Sequence, residues 1–279
     1  MTFLENLMKI DRRWIYLAIG LAVIIPAIAS FTVPVTVSSE VKKIYDFVDK
    51  IGPNEYLFLA MDYDPSSMAE LNPMAEAILK HAFMRNRKVI IVTLAQFGPG
   101  MVEEITHRLA SEYNRVNGVD YVFLGYRPYP AITIMLMGTD FRVPFPQDYY
   151  GTALDSIPML HGIKNFNNVK GVIDLTAGNT ADFWIVYGNG RYNFPLAIGI
   201  TGVMAADYYQ YLQSGQLFGI LPGVKGAAEY ERLIEQPGEG MAQVSYQLVA
   251  HSVIIFFIVI SNVAYFATRR QKKTAGGAR

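Results

Sequence analysis

The sequence predicts an α/β protein: a doubly wound, mostly parallel five-stranded sheet in a three-layer α/β/α domain, flanked by an N-terminal and a C-terminal transmembrane helix. Three observations carry that expectation. Short, continuously apolar runs alternate with longer amphipathic ones through the middle of the chain, as strands buried on both faces of a helix-covered parallel sheet require. Two uncharged stretches, 14–35 and 241–268, are each long enough for a helix to cross a hydrocarbon layer about 30 Å thick. Hydrophobic residues make up 52% of the 279 residues and charged ones only 17%, with a mean hydropathy of +0.21. Soluble domains carry about 25% charge, and here the apolar excess sits at the ends.

In chain order, residues 1–13 form a short N-terminal tail and 14–35 the first span. A cleaved export signal competes with the anchor, because basic residues precede an apolar core that ends at Pro26 before Ala27-Ile28-Ala29. The apolar character runs on to Val35, which favours an anchor. The outer domain then covers 36–240. Ser38-Ser39-Glu40 opens a capped amphipathic helix carrying Val41, Ile44, Phe47, Val48 and Ile51 at helical spacing. Five strands follow: YLFLAMD at 56–62, KVIIVTL at 88–94, VDYVFLGY at 119–126, GVIDLT at 171–176 and PLAIGIT at 195–201. Asp64-Pro65 introduces a helix over 66–84. Pro99 introduces another over 101–114, with Glu103 and Glu104 in its first turn as the helix dipole favours. Strict alternation of strand and helix implies right-handed crossovers. Residues 143–155 read as a long loop, and the tyrosine-rich 204–213 as a helix.

The stretch QSGQLFGILPGVKGAAEYE, 213–231, contains four glycines. It lacks the G-x-x-x-x-G-K-[ST] spacing of a phosphate loop, so Gly215 is read as a helix stop and the rest as a glycine-jointed connector to a last helix. The second span, 241–268, and a basic tail, 269–279, complete the chain. Arg269, Arg270, Lys272 and Lys273 follow the second span, and Lys9, Arg12 and Arg13 precede the first against Lys42 and Lys43 after it. Basic residues stay on the cytoplasmic side. Both termini are therefore expected in the cytoplasm of a cell with the chain in its plasma (inner) membrane, and the domain in the periplasm or outside the cell.

Charge and composition exclude several functions. Residues 36–245 hold 16 basic and 22 acidic side chains, a deficit of six, which argues against nucleic acid as a partner. The chain has no cysteine, so disulfides, thiolate nucleophiles and cysteine-ligated metals are excluded. There is no G-x-S-x-G elbow. Gly98-Pro99-Gly100 begins like a dinucleotide turn, but Glu103 stands where the third glycine belongs.

Ligands of doubly wound sheets bind beyond the carboxyl ends of the strands. That edge is expected to collect Asp62, Asp64, Gln96, Arg127, Tyr129, Asp174, Thr176, Asn179 and Thr180. Asp62 and Asp64 offer oxygens to a divalent cation such as Mg²⁺ or Ca²⁺; the competing reading has Asp64 capping the next helix and Asp62 closing the strand. No other cofactor is expected. Arg127 suits a carboxylate or phosphate, or an ion pair with a nearby aspartate. Tyr149-Tyr150 either covers a pocket or packs on the domain. His81, His107 and His161 read as surface or helix-end residues. His251 lies in the second span, where it, Ser252, Ser261 and Asn262 are candidates for interhelical hydrogen bonds. Tyr208, Tyr209 and Tyr211 offer an aromatic contact surface, with packing on the sheet as the competing reading, and Gly215, Gly219 and Gly223 mark close backbone approach to a neighbour. Small Ala18 and Ala22 suit helix contact within the membrane.

Two functions fit these residues. The favoured one is a binding or scaffold subunit of a membrane assembly, whose partners are lipid and other membrane proteins or further copies of the chain. The alternative is a divalent-metal-dependent hydrolase or transferase acting through Asp62, Asp64 and Asp174 on a cell-envelope substrate.

Overall fold

The computed structural model describes residues 11–29 and 33–276, with side chains to 269. Lys9 and residues 30–32 lie outside the described residues, as do the side chains of Arg270, Lys272 and Lys273. The chain divides into two units, Val35–Met241 and a second made of Met1–Pro34 with Ala242–Arg279.

In the first unit, α2 (Ser39–Asp49) leads into β1 (Tyr56–Asp62), α3 (Met68–Met84), β2 (Lys88–Thr93), α4 (Pro99–Glu112), β3 (Tyr121–Tyr126) and α5 (Pro130–Met137). A long loop reaches β4 (Gly171–Thr176). Then come α6 (Thr180–Phe183), a π-helical turn (Trp184–Asn189), α7 (Gly190–Tyr192), β5 (Leu196–Ile200), α8 (Ala205–Gln213), β6 (Gly219–Pro222) and α9 (Gly223–Leu233). All neighbouring strands pair parallel in the order β3-β2-β1-β4-β5-β6. This is the doubly wound order, with its reversal between β1 and β4.

The sheet has six strands, where five were expected. Gly219–Pro222, taken for a connector, pairs with β5 from Ala197↔Gly219 to Ile200↔Pro222. Four residues bracketed by glycine and proline carry too little apolar length to read as a strand, and the proline is tolerated because β6 is an edge.

All seven residues of β1 and all six of β4 are buried, the physical basis of the unbroken apolar runs. Alternate residues serve opposite layers. Leu57, Leu59 and Met61 point into a core built with α2, α3, α4 and α9. Phe58 and Ala60 point into one built with α5, the long loop, the helices of 180–192 and α8.

His81 stands in the last turn of α3, as the helix-end reading has it, but the surface reading is corrected. It is buried, its Nδ1 2.9 Å from the Tyr230 hydroxyl, its Nε2 3.5 Å from Asp49, and its ring stacked on Tyr45 at 4.5 Å. α3 is covered by both α2 and α9 as well as by the sheet, so more of its circumference is buried than one amphipathic stripe shows. His107 and His161 are exposed.

Three charged residues of α9 hold both ends of this unit. The Ser38 amide donates to Glu229 at 2.7 Å and the Ser38 hydroxyl does likewise, so Ser38 occupies the N-cap position of α2 without capping it. Arg232 donates to the Val35 carbonyl. At the other end, Glu231 accepts from the amides of Gly238 at 3.1 Å, Gly240 at 2.8 Å and Met241 at 2.8 Å.

The second unit contains α1 (Arg12–Ala29) and most of α10 (Glu239–Gly276). Glu239–Arg269 is long and apolar enough to cross a membrane, with only 6% of its most apolar window buried. Each helix is covered along one stripe at helical spacing. On α1 the stripe is Ile15, Ala18, Ile19, Ala22 and Pro26. On α10 it is Val253, Phe257, Ile260, Ala264 and Thr268. Val33 donates its amide to Ser245 at 3.0 Å. Ser252 and Asn262, expected to bond across helices, instead donate to the carbonyls of Leu248 and Ile258, four residues back on their own helix.

Candidate functional site

β1 and β4 are neighbours at the reversal point, and their register places Ala60 opposite Asp174 and Asp62 opposite Thr176. Residues two apart on a strand share a face, so Asp62 and Asp174 both point into the layer of α6, Trp184 and α8. Asp62 is 4% exposed and Asp174 fully buried. One Asp62 oxygen accepts from the Leu94 amide at 2.6 Å, taking over where the β2 ladder ends. The other accepts from the Trp184 indole at 2.9 Å. No N–H or O–H donor reaches either oxygen of Asp174; its polar neighbour is the Asp62 carboxyl itself, and that pairing requires a proton.

Burial is the main cause that raises Asp62 to about 6, against the lowering pull of Trp184 and Leu94. Burial, then the Asp62 charge, pushes Asp174 well above the ordinary carboxylate range. Two carboxylates this close in a desolvated site do not both ionise. The pair is therefore a shared-proton acid pair at the centre of the sheet.

Beside it, on the same helical layer, lies a cleft of about 280 Å³ lined by Gly178, Asn179, Asp182, Met204, Asp207, Tyr208, Gln210 and Tyr211. Asn179 and Asp182 come from the turn after β4 and from α6, the others chiefly from one face of α8. Tyr208 forms part of the inner wall, 5% exposed, with its hydroxyl pushed up first by burial, then by Asp182 and more distantly by Asp174.

The remaining expected site residues are dispersed. Asp64 accepts from the amide of Ser66 at 2.9 Å and from its hydroxyl at 2.6 Å and starts the turn before α3, the capping alternative for this residue. Asp62 and Asp64 thus serve different partners, and among the described residues no group of three acidic or histidine side chains is arranged to hold a metal. Gln96 is exposed in the turn after β2. Arg127 forms no ion pair among the described residues: it donates to the carbonyls of Pro144 and, at 2.8 Å, Tyr126, with its guanidinium 4.8 Å from the Phe145 ring. It fastens the long loop instead of presenting charge. Tyr149 packs on Phe123 at 4.8 Å, and the Tyr150 hydroxyl donates to Glu103 at 3.3 Å, so this pair lies on the domain.

Two of the glycines assigned to contact with a neighbour are occupied inside the domain. A Cβ on Gly219 would meet Ile44 Cγ1 at 2.4 Å and the Glu40 carbonyl at 2.8 Å, because β6 runs directly against α2. One on Gly223, at φ +55°, would meet Gly202 and the Glu70 carboxylate at 3.0 Å. Glu70 also accepts from the Gly202 amide at 2.8 Å, so a carboxylate of the protein occupies the strand-to-helix corner where a phosphate would be sought. Gly215, at φ +79°, has open space around it and ends α8. Of the tyrosines, Tyr208 is buried, Tyr211 half-buried and Tyr209 exposed at 40%.

Trp184, Asp182, Asp207 and Gln210 were missed in the sequence. Asp207, Tyr208, Gln210 and Tyr211 do stand at one-helix-face spacing, a signal present in the chain. Nothing local marks Trp184 as the partner of a residue 122 positions away. No protein-family model, curated protein or solved structure matches this chain.

Proposed function

We propose that the chain is a membrane-anchored, extracytoplasmic α/β module acting as a binding or scaffold subunit of a membrane protein assembly. The observation that carries this reading is the helix Glu239–Arg269, which leaves most of its apolar surface uncovered. An apolar surface of that length is stable only against lipid or other helices. The first span, with Ile28 exposed at 80% and Trp14 at 67%, belongs to the same anchor, and the basic residues beyond the spans set both termini in the cytoplasm. The cleft beside the acid pair is the module's binding site. The hydrolase alternative asks Asp62 and Asp64 to share one cation, and their hydrogen bonds already commit them elsewhere.

The absence of cysteine makes the topology directly testable. Ser214→Cys is expected to react with a membrane-impermeant maleimide in intact cells, and labelling only after lysis would reverse the orientation. Purified in mild detergent, the chain is expected to run as an oligomer or with a co-purifying membrane protein; a strict monomer would overturn the scaffold role. Calorimetry showing Mg²⁺ or Ca²⁺ binding that disappears on Asp62→Asn with Asp64→Asn would reinstate the hydrolase.

A further inference from the structure

We infer that the cleft between the turn after β4 and α8 binds a small organic ammonium ion. This rests on the reading of the cleft as the module's binding site and specifies its ligand.

The charge comes first. Asp182 and Asp207 face the cleft, and no lysine, arginine or histidine lines it, so the formal charge around it is wholly negative. Behind the wall, Asp174 is fully buried with neither oxygen reached by a donor. Its strand position directs it into the same helical layer from which the cleft opens. Its proton is shared with Asp62, so this buried acid brings no positive group toward the cleft, whose charge comes from Asp182 and Asp207.

The nature of the cation follows from the rest of the lining. A hard divalent ion takes six or more oxygens in a close shell, and the described residues offer no three-ligand group. The cleft instead sets two phenol rings beside the carboxylates, Tyr208 and Tyr211, with centroids 5.8 Å apart and planes at 39°. Aromatic faces attract ammonium groups, and the amides of Asn179 and Gln210 supply acceptors for N–H donors. At about 280 Å³ the space lies at the small end of ligand pockets, which run from about 300 Å³ upward. An aliphatic amine of a few carbons fits where a nucleotide does not.

The test titrates the full chain in detergent with putrescine and with tetramethylammonium, using glycerol and Mg²⁺ as comparison ligands, by calorimetry. Saturable binding of one ammonium probe per chain is expected, weakened about tenfold by Asp207→Asn and by Asp182→Asn, as the loss of one charge-assisted contact implies. Both residues are exposed, so circular dichroism is expected to show an intact fold in each variant. Tyr211→Leu is expected to weaken tetramethylammonium while leaving the fold unchanged. The inference is overturned if neither ammonium probe saturates, if the aspartate variants bind as wild type does, or if Mg²⁺ or glycerol binds more tightly. A chain that assembles with partners but binds no ammonium refutes the ligand class alone; a strict monomer that binds putrescine refutes the scaffold role alone.

Discussion

Asp174 and His81 are both buried titratable groups, and their effects on stability run in opposite directions over the same pH window. Asp62 is raised from 3.8 to about 6, chiefly by burial, and Asp174 is raised with it. The folded pair holds protons that the unfolded chain releases, so its contribution is full below about pH 4, declines as pH rises through about 6 where Asp62 ionises, and declines further where Asp174 follows. Burial lowers His81 from 6.5 to about 4. Its contribution is full above pH 6.5 and is lost as pH falls toward 4. Each group alone has a limiting slope of about 1.4 kcal/mol per pH unit, and between pH 4 and 6 the two oppose. Urea titrations across that window are expected to show stability falling more steeply with pH in His81→Gln, which removes the opposing group, than in Asp174→Asn, which removes one of the two raised carboxyls and leaves Asp62 and His81 opposed. Equal slopes in both variants would refute this assignment. Asp174→Asn is also expected to gain about 1–3 kcal/mol at pH 8, since the amide supplies the donor that Asp62 faces.

Among the elements, β6 and α9 do the most to organise the domain. Gly219 and Gly215 are needed for different reasons, the first for space and the second for its left-handed backbone. Asparagine separates them, since it accepts positive φ but brings a side chain. Gly215→Asn is expected to change stability by less than about 0.5 kcal/mol. Gly219→Asn is expected to cost about 3 kcal/mol or more by driving β6 off α2. Equal costs in denaturant titrations would mean that β6 is not seated on α2. On α9, Glu231 satisfies three amides that open α10. Burial raises this carboxyl and the three amides pull it back. Glu231→Gln turns one acceptor oxygen into a donor, so hydrogen exchange at 238–241 is expected to quicken about tenfold, the equivalent of about 1.4 kcal/mol. Unchanged exchange there would show that the carboxylate is not the cap.

At the scale of the whole molecule, the unit Val35–Met241 has its own two-layered core, and the charged contacts of α9 lie inside it. Around 200 residues suffice for an independent core. The fragment 35–241 is therefore expected to be soluble and to unfold in one cooperative transition, while the full chain stays with the membrane through carbonate extraction. A fragment that aggregates, or unfolds without cooperativity, would mean that the anchor completes the core.

Much of this architecture was legible in the chain because it is encoded locally. A run such as YLFLAMD or GVIDLT states its own burial, and the C-terminal apolar stretch states its own length. The β1 and β4 boundaries followed residue by residue. The shared proton of Asp62 and Asp174 was not legible, because it depends on parallel pairing between segments more than a hundred residues apart and on Trp184 arriving from a third. β6 was hidden since four residues between a glycine and a proline make a strand only when β5 supplies the hydrogen bonds. His81 and Gly219 were misread for the same reason, as the helix that buries each comes from elsewhere in the chain. The sequence by itself determined the alternation of elements and the apolar ends, which depend on contiguous residues. Tertiary structure alone decided the strand order, the acid pair and the cleft, because those depend on which surfaces can be desolvated together.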